Sequence, residues 1–209
     1  MANSMRFREL RRRLAALRAN MLPATFSPTG SYSERQLDRA RGYRLLAHAE
    51  IESFLEDVTM QVAKAAVLNW ISKKKTSDSL ICLLAHYHVG FDMEGEDLEP
   101  SFPDTSRQKV KEEIKEAIQN AFKQYNTIHD NNHGIREKNF KRLVLPIGIR
   151  IDQIDPTWLT NMDDFGKVRG EIAHKTVKIQ QQIDPKSEFD RISDLVSGLK
   201  DLDKLILSL

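Results

Sequence analysis

Hydrophobic positions recur along this chain at steps of three and four residues. From Ser33 to Lys75 there is no proline, and Leu37, Ala40, Arg44, Ala47, Ile51, Phe54, Val58, Val62 and Ala65 keep that spacing throughout. Such a run predicts one long or slightly broken helix, with Ser33 as its cap and Lys73-Lys74-Lys75 closing it where cations suit the helix dipole. Thr76-Ser77-Asp78 then opens a helix from Ser79 to His88 with an apolar centre. Asp104 or Thr105 caps another, whose stripe is Val110, Ile114, Ala117, Ile118, Ala121, Phe122 and Tyr125, with Lys111, Glu112, Glu113, Lys115 and Glu116 opposite. A short basic amphipathic helix from Arg136 to Leu145 stops at Pro146. Asp155-Pro156 and Asp184-Pro185 each start a further helix, the last one facing the core with Phe189, Ile192, Val196, Leu199, Leu202 and Ile206. The stretch Leu143 to Ile151 is β-prone but too brief to build a sheet. The pattern predicts an all-α bundle of about five to seven helices.

The helix after Asp155-Pro156 carries the most information. At roughly 100° per residue, Phe165, Val168, Ile172, Thr176, Ile179 and Ile183 share one stripe, and His174 falls about 180° from Phe165. Gly170 lies one turn before His174 on that outer side, flanked by Ala173 and Val177. A face of small residues lets another surface come close. Arg169 sits on the border between the two faces, five residues before His174.

The N-terminal stretch Arg6 to Arg18 is a basic helix candidate, with Leu10, Leu14 and Leu17 as a narrow stripe. It reads either as an arm for nucleic acid or membrane surfaces, or as a helix whose leucines dock on the domain or on a second subunit. Met21 to Ser33, rich in Pro, Gly and Ser, is the clearest linker, so the chain divides into residues 1–32 and a helical domain at 33–209.

Composition narrows the function classes. The 209 residues can bury a proper core, and a net charge of +2 confines any nucleic-acid surface to a local patch. Lys138, Lys141 and Arg142 supply such a patch, with Phe140 among them, and Lys167 and Lys175 flank the His174 region. One cysteine, Cys82, fits a reducing compartment. No apolar run approaches the ~18 residues that span a bilayer, so a soluble, cytoplasmic protein without membrane attachment is expected. His86 with His88, and His129 with His133, hint at metal pairs, but no cysteines complete a tetrahedral site and no metal or other cofactor is expected. The acidic run Glu50, Glu52, Glu56 and Asp57 is either exposed, paired with Arg44 and Lys64, or, through one carboxylate, turned toward Arg169 and His174.

Arg169 and His174, separated by four residues near the start of a late helix, resemble the Arg-x4-6-His signature of the HEPN superfamily. The string from Lys141 to Lys175, with Ala47 to Asp57 upstream, looks like the RiboL-PSP branch. The resemblance runs from about Tyr32 to the C-terminus. It implies an all-α domain that dimerises so that two Arg-His pairs meet in one cleft, and a metal-independent endoribonuclease acting as a toxin or defence effector. The residue after the arginine is often polar in active members, whereas here it is Gly170, with the acidic group at Glu171. RNA, a second copy of the chain and an antitoxin or defence-system protein are the implied partners. Arg169 and His174, with Glu171 in support, are the candidate catalytic residues. Lys138, Lys141, Arg142, Lys167 and Lys175 are candidate RNA contacts, and Gly170, Ala173 and Val177 the candidate dimer surface. The competing class is a non-catalytic helical module that binds RNA or protein.

Overall fold

The computed structural model describes residues 3–87, 104–174 and 183–209, the side chains of 104–110 and 168–174 excepted. Seven α-helices and no strand occur among the described residues: α1 (Met5–Met21), α2 (Glu34–Lys73), α3 (Asp78–His86), α4 (Asp104–Asp130), α5 (Glu137–Val144), α6 (Pro156–His174) and α7 (Pro185–Ile206). The predicted all-α class is correct. No described helix is long and apolar enough to cross a membrane.

The 40-residue helix α2 is the spine, and each of the other six packs on it. At ~1.5 Å per residue it spans roughly 60 Å. Its start is a capping box: Ser33 Oγ accepts from Gln36 N, and Gln36 Oε1 accepts from Ser33 N at 2.9 Å. Its end is Lys74, in the left-handed region at φ 53°, with its ammonium 4.4 Å from the centre of the Trp70 ring. Non-glycine residues seldom adopt that conformation, and the cation–π contact helps to hold it.

Helix α1 lies antiparallel on α2. Phe7, Leu10, Leu14 and Leu17 are buried, while Arg6 pairs with Asp57 at 2.7 Å and Arg13 with Glu50 at 2.9 Å. The leucine stripe therefore docks on the body of the same chain. Asp203 in α7 is fully buried and accepts from Ser4 N at 2.8 Å, fastening the start of α1.

Short caps place the other helices. Ser77 caps α3, and Asp184 Oδ1 accepts from Ser187 N at 2.7 Å to start α7. At α6, Asp155 Oδ1 accepts from Thr157 N at 2.7 Å and Trp158 N at 3.1 Å, with Pro156 following as expected. The β-prone stretch before α6 forms turns that bury Ile147 and Ile149 around Gly148, at φ 99°, then a 3-10 turn at Ile151–Gln153. On α7 the buried set includes Leu195, while Phe189 and Val196 of the predicted stripe are only partly buried.

Trp158 locks α6 to α7. Its indole N–H donates to Leu195 O at 3.0 Å, its ring meets Phe140 edge-on at 5.6 Å, and Gly198 lies directly beneath it. A Cβ at position 198 would stand 2.3 Å from the indole. Gly198→Ala is therefore expected to destabilise the fold by about 1–3 kcal/mol, because the ring is held by its own hydrogen bond and cannot simply swing away. Urea denaturation followed by circular dichroism measures it; an unchanged midpoint would mean that α6 and α7 separate freely.

Candidate functional site

Helix α2 places Arg44, His48 and Glu52 one turn apart on a single face. Arg44 and His48 are buried, and both meet Phe165 of α6. The guanidinium sits 5.1 Å from the ring centre and the imidazole stacks at 6.0 Å. His48 Nδ1 lies 3.5 Å from Glu52 Oε2. Arg44 also donates to Glu188 Oε1 of α7 at 2.9 Å, a pair with both side chains about 5% exposed or less. Burial pushes the Glu188 carboxyl up from its ordinary value, and the nearby Arg44 and Arg191 charges only partly oppose it.

The four acidic candidates on α2 divide clearly. Glu50 and Asp57 are held by Arg13 and Arg6 of α1. Glu56 accepts from Asn132 at 2.8 Å, and its backbone carbonyl meets His129 Nε2 at 3.1 Å. Only Glu52 continues the row that faces α6. Arg44 itself turns inward to Glu188.

The motif residues Arg169 and His174 both fall in α6, which continues unbroken through His174. The side chains of Arg169, Gly170, Glu171, Ala173 and His174 lie outside the described residues, as do Lys175 and Val177 entirely. Position 169 follows Phe165 by one turn. Lys167 is exposed.

The basic segment forms a second feature. Phe140 is fully buried against Trp158, so it offers no ring for a base to stack on, contrary to its place in the sequence pattern. Lys138 and Arg142 are exposed on α5 and have no partner among the described residues, whereas Lys141 is paired with Glu137. Arg136, at the cap of α5, binds Asp163 of α6 through Nε at 3.1 Å and Nη2 at 3.3 Å; Asp163 also accepts from Glu137 N at 2.9 Å. These contacts hold the Asp163 carboxyl below its usual range. Around them lies a cavity of about 480 Å³ lined by His86, Arg136, Lys138, Lys141, Arg142 and Asp163, among others. His86 thus belongs to this rim. The described residues contain no cluster of three potential metal ligands.

An all-helical bundle with a motif-bearing helix seated on a polar face of its spine fits the expected class. A family model described as RiboL-PSP-HEPN matches residues 8–208, and the chain belongs to that family. The matched span takes in most of α1 as well as the later helices. No curated protein and no solved structure matches the chain. HEPN domains are frequently RNases or nucleotide-binding modules.

The sequence pattern puts Arg44 on the apolar stripe of the spine but does not identify Glu188 as its partner. Neither Glu188 nor His48 stands out in that pattern. The available signal was a charged residue on an otherwise apolar stripe, which has to find an opposite charge when it is buried.

Arg44→Met should destabilise the fold by about 3–5 kcal/mol, since it leaves Glu188 buried without its cation. The double substitution Arg44→Met with Glu188→Met should recover most of the loss, and a double-mutant cycle of denaturation free energies reads the coupling. Because the Glu188 pKa is raised in the fold, the native state holds its proton to higher pH than the unfolded chain. This group's contribution therefore falls as pH rises above the ordinary glutamate range, and Glu188→Gln should remove that slope. A slope of opposite sign would mean that Arg44 outweighs burial.

Proposed function

We propose that the chain is a metal-independent endoribonuclease acting as a homodimer, in which Arg169 and His174 of two subunits share one cleft. The reading is carried by membership of the HEPN family over residues 8–208 together with the occurrence of both motif residues in one continuous helix, α6. Cleavage without a metal requires that the 2′-OH lose a proton, that the 5′ oxygen gain one, and that extra charge on the phosphorus centre be stabilised. Histidine titrates near neutrality and serves either proton transfer. Arginine offers a planar fork of donors to the phosphate oxygens.

One chain supplies one His174, so two proton transfers call for two subunits. Residues five apart stand roughly 140° apart on an ideal helix, which also favours completion of the site across a dimer. Gly170, Ala173 and Val177 form the face that admits the partner. One His174 acts as base, the other as acid, and Arg169 carries the transition-state charge. Glu171, three residues before His174, supports its protonated form. Glu52 is assigned a positioning role toward α6, since Glu50, Glu56 and Asp57 are committed elsewhere. Such an enzyme suits a toxin or defence effector held in check by an antitoxin protein.

Purified protein should cleave single-stranded RNA in EDTA and leave 2′,3′-cyclic phosphate ends. His174→Ala and Arg169→Ala should each lower the rate by roughly 10²- to 10⁴-fold without lowering the melting temperature appreciably, and Arg169→Lys should not restore it. Wild-type cleavage by His174→Ala would reject the assignment. RNA binding with no cleavage under any metal condition would leave the non-catalytic module.

Gly170→Phe should overfill the partner face and shift the species toward monomer in light scattering. A dimer indifferent to this change would place the interface elsewhere.

A further inference from the structure

The cavity beside α5 lies in line with the outer face of the motif helix. Asp163, Lys167 and Gly170 all fall within roughly 40° of position 174 around α6, on the side opposite Phe165. Along the axis, position 163 stands roughly 16 Å from position 174, and position 167 roughly 10 Å, at ~1.5 Å per residue. The α5 cavity opens at the near end of that line, because Asp163 is one of its walls.

We infer that this cavity is a phosphate-binding subsite for single-stranded RNA, gripping the backbone a few nucleotides away from position 174. The choice of RNA rests on the nuclease reading above; the subsite itself rests on the cavity and its charges. Arg136 and Lys141 are tied to Asp163 and Glu137, which neutralises both acids on the wall and fixes the two cationic heads. Lys138 and Arg142, four residues apart on α5, remain exposed and have no partner among the described residues. The surplus positive charge is therefore theirs, with Lys167 continuing it along α6 toward His174.

The wall is rigid where it matters. A Cβ on Gly166 would lie 3.0 Å from Arg136 Cγ and 3.2 Å from its backbone nitrogen, so the entry to α5 rests directly on α6. Phe140, Leu143 and Val144 anchor α5 from beneath. Phe140, the one aromatic ring of α5, is buried, so Lys138 and Arg142 engage phosphates and not bases.

The test uses His174→Ala protein, so that RNA stays intact, and a short single-stranded oligoribonucleotide of mixed sequence. Affinity is measured across a salt series with and without the pair Lys138→Gln and Arg142→Gln. Each phosphate contact to a single strand contributes about 0.7 to the slope of log affinity against log salt, so losing two should flatten it by about 1.4. The weakening should be similar for purine-rich and pyrimidine-rich oligonucleotides. Lys64→Gln with Lys200→Gln, an equal loss of exposed charge elsewhere, should leave the slope as it was. An unchanged slope in the α5 pair, or an equal flattening in the control pair, overturns the subsite. Because binding is scored without cleavage, a nuclease that cleaves but keeps its slope refutes the subsite alone. A protein that never cleaves yet loses its slope refutes the nuclease reading alone.

Discussion

A buried ion pair, Arg44 with Glu188, sets the arrangement on which the rest of this structure depends. Two charges withdrawn from water gain little net stability from meeting each other, because desolvation offsets most of the attraction. Their influence is on alternatives. Sliding α7 by one turn along α2 would bury each charge without the other, at a cost of about 3–5 kcal/mol. Apolar stripes tolerate such slippage far better, since one leucine resembles the next. The pair therefore gives two long helices a definite register.

The same guanidinium carries that register into α6 through the Phe165 ring, with His48 stacked beside it. Trp158 fixes the beginning of α6 on α7, and Asp163 fixes its outer side on the cap of α5. These contacts lie on different sides of α6 and oppose both its rotation and its sliding. The phase of its last turns, where Arg169 and His174 fall, follows from ideal helical geometry once those anchors are set. The motif helix is thus directed from below by packing that contains none of the motif residues.

Charge is distributed with the same economy. Two of the six arginines of α1 are spent against the acidic side of α2, Arg6 with Asp57 and Arg13 with Glu50. The helix docks through its apolar stripe and these two pairs, while Arg8, Arg11 and Arg12 stay exposed. With a net charge of only +2, a functional surface must come from uneven placement of charge. The α5 cavity shows such placement, because its acids are bound by two of its cations and the other two are left over.

Local physics was legible in the sequence. Ser33, Ser77, Asp155 and Asp184 announced four helix starts, because a cap is a contact between near neighbours. The uninterrupted stripe of α2 and the Arg-x4-His spacing in α6 were equally plain, and with them the all-α class and the family. What only the tertiary structure decided were the long-range pairings. A stripe shows that Arg44 faces inward, but not that Glu188, 144 residues later, will meet it. Four carboxylates in one acidic run look alike until the partners of each are known. Phe140 sits among cations in sequence, yet the helix turns its ring into the core beneath Trp158. Sequence determines which face a residue occupies; only packing determines what that face meets.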